Sequence, residues 1–384
     1  MSDRKLKAWQ QAGLIDAETA ARIAGWEAAH SRPLGIWALV GLGALAIGLG
    51  LVSLVATNWD AIPGAVRLGI HFALMAGLAL LIWIAPKQSD ANDRFHDGLL
   101  FIAAVLGLTF FGHIGQVYQT SSPLWQPLLA WLVIFSPLLL LFGRGWPVAG
   151  LWYVALLGTG WYHAEDYGGR WTLLGQHVQP AYPVLYWGLI ASLPMVVAAM
   201  AAAMRARSAR PDFWRLLEQL AIATILAGVS IVAIISVWDR PDSAYLGSFA
   251  IQSLFMLGAA VAIWAARRTR SGQATAAILC VAAVVHLGVA LLVQAGGREG
   301  AWIGALSFIA LWSAVAYGSL FARWRRMFQG AVGLIAVRII ILSFELGDDL
   351  LGSGISLILS GLVAIGVAWV AVRVSRRYAP EKTG

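Results

Sequence analysis

The sequence predicts an all-α fold, a polytopic bundle of transmembrane helices. The first observation behind that class is twelve apolar stretches of roughly membrane-spanning length. The second is where the basic residues fall. With the N-terminal tail taken as inside, the inside connections hold 22 of the 27 Lys and Arg residues. Arg67, Arg170, Arg240 and Arg298 fall outside, and Arg338 lies within a span. This is the positive-inside pattern, and it places both termini in the cytoplasm. The third observation is composition: 60% of the 384 residues are hydrophobic and 12% charged, about half the charge of an ordinary soluble chain.

Several function classes drop out on these grounds. The net charge of +8 does not point to nucleic acid, because the excess sits in short inside loops where it sets orientation and meets anionic headgroups. Cys280 is the only cysteine, so neither a disulfide nor a Cys-based metal site is expected within one chain. A cleavable signal peptide is not expected, because the first 33 residues are polar and the first apolar run follows them as an anchor would.

Residues 1–33 read as a short cytoplasmic helical hairpin. Leu6 and Trp9 share one helix face, Gly13 ends the first helix, and Asp16 caps a second with Glu18 in its first turn. Ile23 and Trp26 continue the apolar side. So few apolar residues do not hold two short helices by themselves. The hairpin is therefore expected to dock on the membrane face or to contact a cytoplasmic protein partner.

The first transmembrane half, residues 34–204, carries spans at 34–56, 64–85, 98–118, 127–142, 147–162 and 184–204. The second, residues 216–373, carries spans at 216–238, 246–266, 274–295, 301–321, 328–344 and 353–373. Residues 374–384 form a cytoplasmic tail. The fourth and fifth spans are short and joined by Gly143-Arg144-Gly145-Trp146, so two spans and one re-entrant element are both open. Many of the 19 tryptophans, Trp59, Trp83, Trp146, Trp214, Trp264 and Trp324 among them, stand at span ends as an interfacial belt.

The two halves match in order, which points to a 6+6 parallel internal duplication. Asn58-Trp59-Asp60 ends span one and Val237-Trp238-Asp239 ends span seven, each closely followed by a proline. Met75-x-Gly77-x4-Ile82-Trp83-x-Ala85 is matched by Met256-x-Gly258-x4-Ile263-Trp264-x-Ala266. His113-Ile114-Gly115 is matched by His286-Leu287-Gly288, and Glu165-Asp166 by Asp348-Asp349. Parallel repeats of this kind are common in transporters, with sites near the midplane between the halves.

Polar groups inside a bilayer are costly, so each is a candidate site. Thr109, His113, Gln116 and Thr120 form a stripe on one face of span three. The stripe first suits hydrogen bonding between helices, and next a solute- or proton-conducting face. His286 is the duplicate of His113. Arg338 lies deep in span eleven and needs a partner, for which Glu345 is a candidate. Arg67, four residues before His71, is expected to pair with Asp60, and Glu218 to form a surface pair with Arg215. None of the 19 acidic residues falls at an expected midplane, so any proton coupling falls to histidine.

The outside connections carry a polar rim that includes Asp60, Asp239, Glu165, Asp166, Asp348 and Asp349. His163-x-Glu165-Asp166 with His177 has the ligand types for a divalent metal, but its spacing matches no strong motif, and a solvated acidic rim is the preferred reading. No P-loop, nucleophile elbow, zincin or dinucleotide motif is present, so neither a metal nor a cofactor is expected.

Three features carry a family resemblance: the Trp9 … Gly13-Leu14-Ile15 … Glu18 hairpin, the Asn58-Trp59-Asp60-x-x-Pro63 end of span one, and Gly115-Gln116-Val117-Tyr118 followed by Trp125 and Trp131. In these the N-terminal half, roughly residues 5–145, resembles a bacterial family of predicted membrane proteins, domain of unknown function 2157. The resemblance implies a multi-pass protein of the bacterial inner membrane, and it brings no catalytic residues. The leading functional reading is a small-solute transporter or permease built around Thr109, His113, Gln116, His286 and Arg338. The alternative is a membrane-anchored scaffold or sensor acting through residues 1–33. A membrane enzyme acting on a lipid-linked substrate through Asp60 or Glu165 and Asp166 stands third.

Overall fold

The computed structural model describes residues 6, 9–30, 42, 46, 62–84, 90–167, 172–173, 176–177, 181–235, 246–292 and 298–345. It also describes 361–362, 365–367, 369–370, 372–374 and 377–378. The chain divides into two compact units, Met1–Gly69 and Ile70–Gly384.

In the first unit a helical segment through Trp9 turns into α1 (Ala17–His30). Gly13 takes φ +68°, the Gly13 amide donates to the Gln10 carbonyl at 3.0 Å, and the Leu14 amide donates to the Trp9 carbonyl at 3.0 Å. This is a Schellman stop, in which the left-handed residue is normally glycine because a Cβ is costly there. Asp16 Oδ1 accepts the Thr19 amide at 2.7 Å and caps α1. The Thr19 hydrogen bonds hold the Asp16 carboxyl below its ordinary value of 3.8. The helix stop and cap thus stand where the sequence puts them.

The second unit takes up most of α2 (Gly64–Ile84) and continues through α3 (Asp90–Tyr118), α4 (Trp125–Phe142) and α5 (Trp146–Tyr167). A small antiparallel ladder follows, β1 (Thr172–Leu173) paired with β2 (Gln176–His177). Then come α6 (Ala181–Ala191), α7 (Leu193–Arg207), α8 (Pro211–Ile235) and α9 (Leu246–Ala266). Next come α10 (Arg270–Leu292), α11 (Arg298–Phe321) and α12 (Arg325–Glu345), and the described residues between 361 and 378 are helical as well. Among the described residues, 8 helical stretches are long and apolar enough to cross a membrane, the fold class that the sequence predicts. α6 and α7 make one such stretch, Leu185–Arg207, broken at Ser192 where Pro194 has no amide to continue the ladder. Spans one and twelve of the sequence reading lie largely outside the described residues. The residues of spans five and eleven form helices α5 and α12, of 22 and 21 residues, which are not among those eight stretches.

The fourth and fifth spans are separate helices that fold back as an antiparallel hairpin. Val148 stands close to Gly143 at the turn, Trp152 Nε1 donates to Ser136 Oγ at 2.8 Å, and Trp125 Nε1 donates to Asp166 Oδ2 at 3.0 Å at the far end. Contacts spaced evenly away from the turn on both helices require that geometry. The turn itself is held by Asp97, whose Oδ1 accepts the Arg144 amide at 2.8 Å and the Gly145 amide at 3.0 Å. Arg210 closes the other side by donating to the Gly143 carbonyl and, at 2.6 Å, to the Leu140 carbonyl.

The core runs through α3, α4, α5 and α7 to α12. Ala198, Ala201, Ala202, Ala221 and Ala282 are fully buried within it, and small side chains let helices approach closely where lipid offers no hydrophobic drive for association. Trp131 is fully buried with its Nε1 donating to the Ala104 carbonyl at 2.8 Å. Trp214, expected in the interfacial belt, is instead a core residue. Outward-facing Phe72, Leu80, Val133, Ile134, Leu254 and Val261 are exposed, a surface suited to lipid rather than water.

Candidate functional site

α2 carries a single buried residue, His71. A buried imidazole on a helix whose other side chains are half-buried or exposed needs partners for both nitrogens. His71 Nε2 lies 2.8 Å from the Leu106 carbonyl, and His71 Nδ1 lies 2.8 Å from His113 Nδ1. The two rings meet edge to face at 4.8 Å, and Phe110 stands 5.3 Å from His71. A carbonyl only accepts, so His71 Nε2 carries a hydrogen. In a neutral pair, His71 Nδ1 therefore accepts and His113 Nδ1 donates. A third histidine acts farther along the same two helices: His96 on α3 donates through Nε2 to the Ile82 carbonyl at 3.0 Å. Three histidine contacts thus tie the second-unit part of α2 to α3.

Of the residues picked from the sequence, His113 is in this pair. Thr109 donates to the same Leu106 carbonyl at 3.0 Å, and both Thr109 and Gln116 are exposed. His286 stands elsewhere, on α10. It is 2% exposed, neither ring nitrogen has a hydrogen-bond partner among the described residues, and its ring packs 4.8 Å from Phe249. Arg338 is 2% exposed on α12. α3 packs on α4 and α5, whereas α10 packs on α8, α9 and α11 and α12 packs on α11, so His113 lies in one helix neighbourhood while the helices of His286 and Arg338 share α11.

The polar rim is only partly described. Asp60, Asp239, Asp348 and Asp349 lie outside the described residues, as does the side chain of Glu345. Arg67 Nε donates to the Ile62 carbonyl at 2.8 Å. Asp166 is engaged by Trp125 and His163 by the Tyr186 hydroxyl, while Glu165 is exposed.

Glu218 corrects the sequence reading. It is not a surface partner of Arg215, which instead pairs with Asp212 at 3.2 Å. Glu218 is 2% exposed and bridges Arg205, at 3.0 Å, to Arg267. An i, i+3 spacing marked the nearer arginine, but partners 13 and 49 residues away win because they meet the carboxylate where α7, α8 and the α9–α10 turn converge. His71 was visible to the rule that flagged His113, an ionisable group within a span. Only packing shows that the two meet.

No curated protein and no solved structure matches this chain. With apolar helices of spanning length and a lipid-suited surface, the chain reads as a membrane protein, and its N-terminal part, residues 7–148, matches the family described as predicted membrane protein (DUF2157).

Proposed function

We propose that this protein is a small-solute permease of the bacterial inner membrane, with both termini cytoplasmic, in which the His71–His113 pair links proton uptake to helix movement. The Nδ1-to-Nδ1 contact at 2.8 Å carries the reading. One added proton leaves an imidazolium donating to an imidazole. A second puts hydrogen on both facing Nδ1 atoms, and the bond is lost. That change loosens α2 from α3 at the one point where α2 is buried. His286 and Arg338 are further buried polar groups of the same proposal, in keeping with the cost of such groups in a bilayer. A 6+6 repeat belongs to it as well, supported by the ordered motifs and by the equal 21-residue lengths of α2 and α9.

The test uses the full chain in vesicles loaded with a pH-sensitive dye and challenged with a panel of small solutes. Wild type should show solute-dependent proton movement. His113→Gln, His71→Gln and Arg338→Gln should abolish it while the protein stays folded in the membrane. Undiminished flux in all three would remove the proposed site.

A second reading, a scaffold or sensor that binds a cytoplasmic protein through residues 1–33, draws on Leu14 and Trp26, which are 72% and 64% exposed on the helix–turn–helix. Deleting residues 1–30 separates the two readings: flux that survives the deletion assigns the hairpin another task, and loss of phenotype with intact flux favours the scaffold.

A further inference from the structure

A cleft of about 1030 Å³ opens at the arginine-rich end of the second unit. Six arginines line it, Arg205, Arg215, Arg267, Arg323, Arg325 and Arg326, against one carboxylate, Glu218. Glu218 is committed to Arg205 and Arg267, and Arg215 is paired with Asp212. Arg323 and Arg326 at the mouth are exposed and have no ion-pair partner among the described residues. The positive-inside rule accounts for arginines in these three connections, but not for their convergence on one cavity.

The shape of the cleft adds a second requirement. Its wall continues along α8 to Leu226 and along α10 to Ile278. Leu226 lies eleven residues beyond Arg215 on one helix, a rise of about 16 Å. The cleft therefore runs from a cationic mouth to an apolar wall, the profile of a ligand with an anionic head and a hydrocarbon chain.

The third observation is backbone strain at the mouth. Arg323 takes φ +59°. Its amide donates to the Leu320 carbonyl at 3.2 Å, and the Trp324 amide donates to the Ser319 carbonyl at 2.7 Å. This is the same Schellman stop that Gly13 makes in the first unit, with an arginine where glycine is cheaper. A residue kept in a disfavoured conformation is a pointer to a role other than folding. Here the strained position presents a guanidinium to the cleft.

We propose that this cleft is a binding site for an anionic phospholipid, its phosphate held by Arg323 and Arg326 and its acyl chain laid along the α8 and α10 wall. Guanidinium and phosphate match as charge-assisted, bidentate partners. A zwitterionic lipid would bring its own cation against the arginines, and free phosphate would leave the apolar wall unused.

The test is lipid retention by the purified full chain, read by native mass spectrometry, with phosphatidylglycerol, phosphatidylcholine or inorganic phosphate added. Phosphatidylglycerol should be retained and should raise Tm more than the other two. Arg323→Gly should raise Tm in the absence of lipid, because it relieves the left-handed residue, yet weaken phosphatidylglycerol binding severalfold. Adding Arg326→Ala should bring the loss to about tenfold. Ala223→Trp keeps every arginine but fills the wall, and should also reduce phosphatidylglycerol retention. Equal retention of phosphatidylcholine, equal stabilisation by inorganic phosphate, or full phosphatidylglycerol binding by Arg323→Gly/Arg326→Ala or by Ala223→Trp would each overturn the proposal.

Discussion

Two ion pairs a few residues apart show how burial sets the worth of a charge. Asp212 and Arg215 are 77% and 47% exposed, whereas Glu218 is 2% exposed and Arg267 11%. Water screens the first pair, and little screens the second. Burial pushes the Arg267 guanidinium below its ordinary value, and Glu218 opposes that shift. Glu218→Gln leaves two arginines close together around a buried amide. It should cost about 3 kcal/mol of unfolding free energy. Asp212→Asn should cost no more than about 0.5 kcal/mol. Denaturant titration of the two variants in detergent decides, and equal effects would show that Glu218 is not held as the geometry implies. The same logic applies to His71: a histidine in an apolar helix signals cost, but its partner His113 is 42 residues away and lies beyond any local rule.

At the scale of elements, the α4–α5 turn shows how the chain reverses between two largely apolar helices of 18 and 22 residues. Asp97 accepts two turn amides and Arg210 donates to two carbonyls at the end of α4, so the chain stops and reverses there. Gly145 is part of this fit, since a Cβ on it would lie 2.4 Å from Asp97 Oδ2. Gly145→Ala should therefore destabilise by about 2 kcal/mol. Gly150→Ala, one turn into α5 where a Cβ meets nothing within 4 Å, should be neutral or stabilising by up to about 1 kcal/mol. Opposite signs in thermal melts are the expected result; like signs would mean that helix propensity, not the Asp97 contact, governs the turn.

At the largest scale, the second unit gathers its arginines at one set of helix ends. Arg144, Arg205, Arg210, Arg267, Arg323 and Arg326 stand at one set of helix ends, beside Asp97 and Glu218. Such a distribution orients a chain against the cytoplasmic leaflet. A fluorescent reporter fused after Gly384 should be active inside the cell, and a periplasmic phosphatase fused at the same place inactive. The reverse pattern would mean that the arginine-rich ends, and the cleft among them, face out. This polarity also explains why the lipid proposal and the permease proposal stand or fall separately: one concerns the charged ends and the other the histidines between them.

The sequence by itself determined the class, the order of the helices and most of their ends. Those properties depend on local quantities: apolar length against bilayer thickness, basic residues in loops, a glycine that can turn left, an aspartate that can cap. It also marked His113, because an imidazole inside a span is costly wherever it packs. Tertiary structure alone decided that His113 meets His71, that Glu218 is buried between Arg205 and Arg267, and that Trp214 belongs to the core. Each of these depends on which helix lies alongside which. Once a helix is apolar on every face, its sequence no longer specifies its neighbour, and only packing and the pairing of the few polar groups choose the partner.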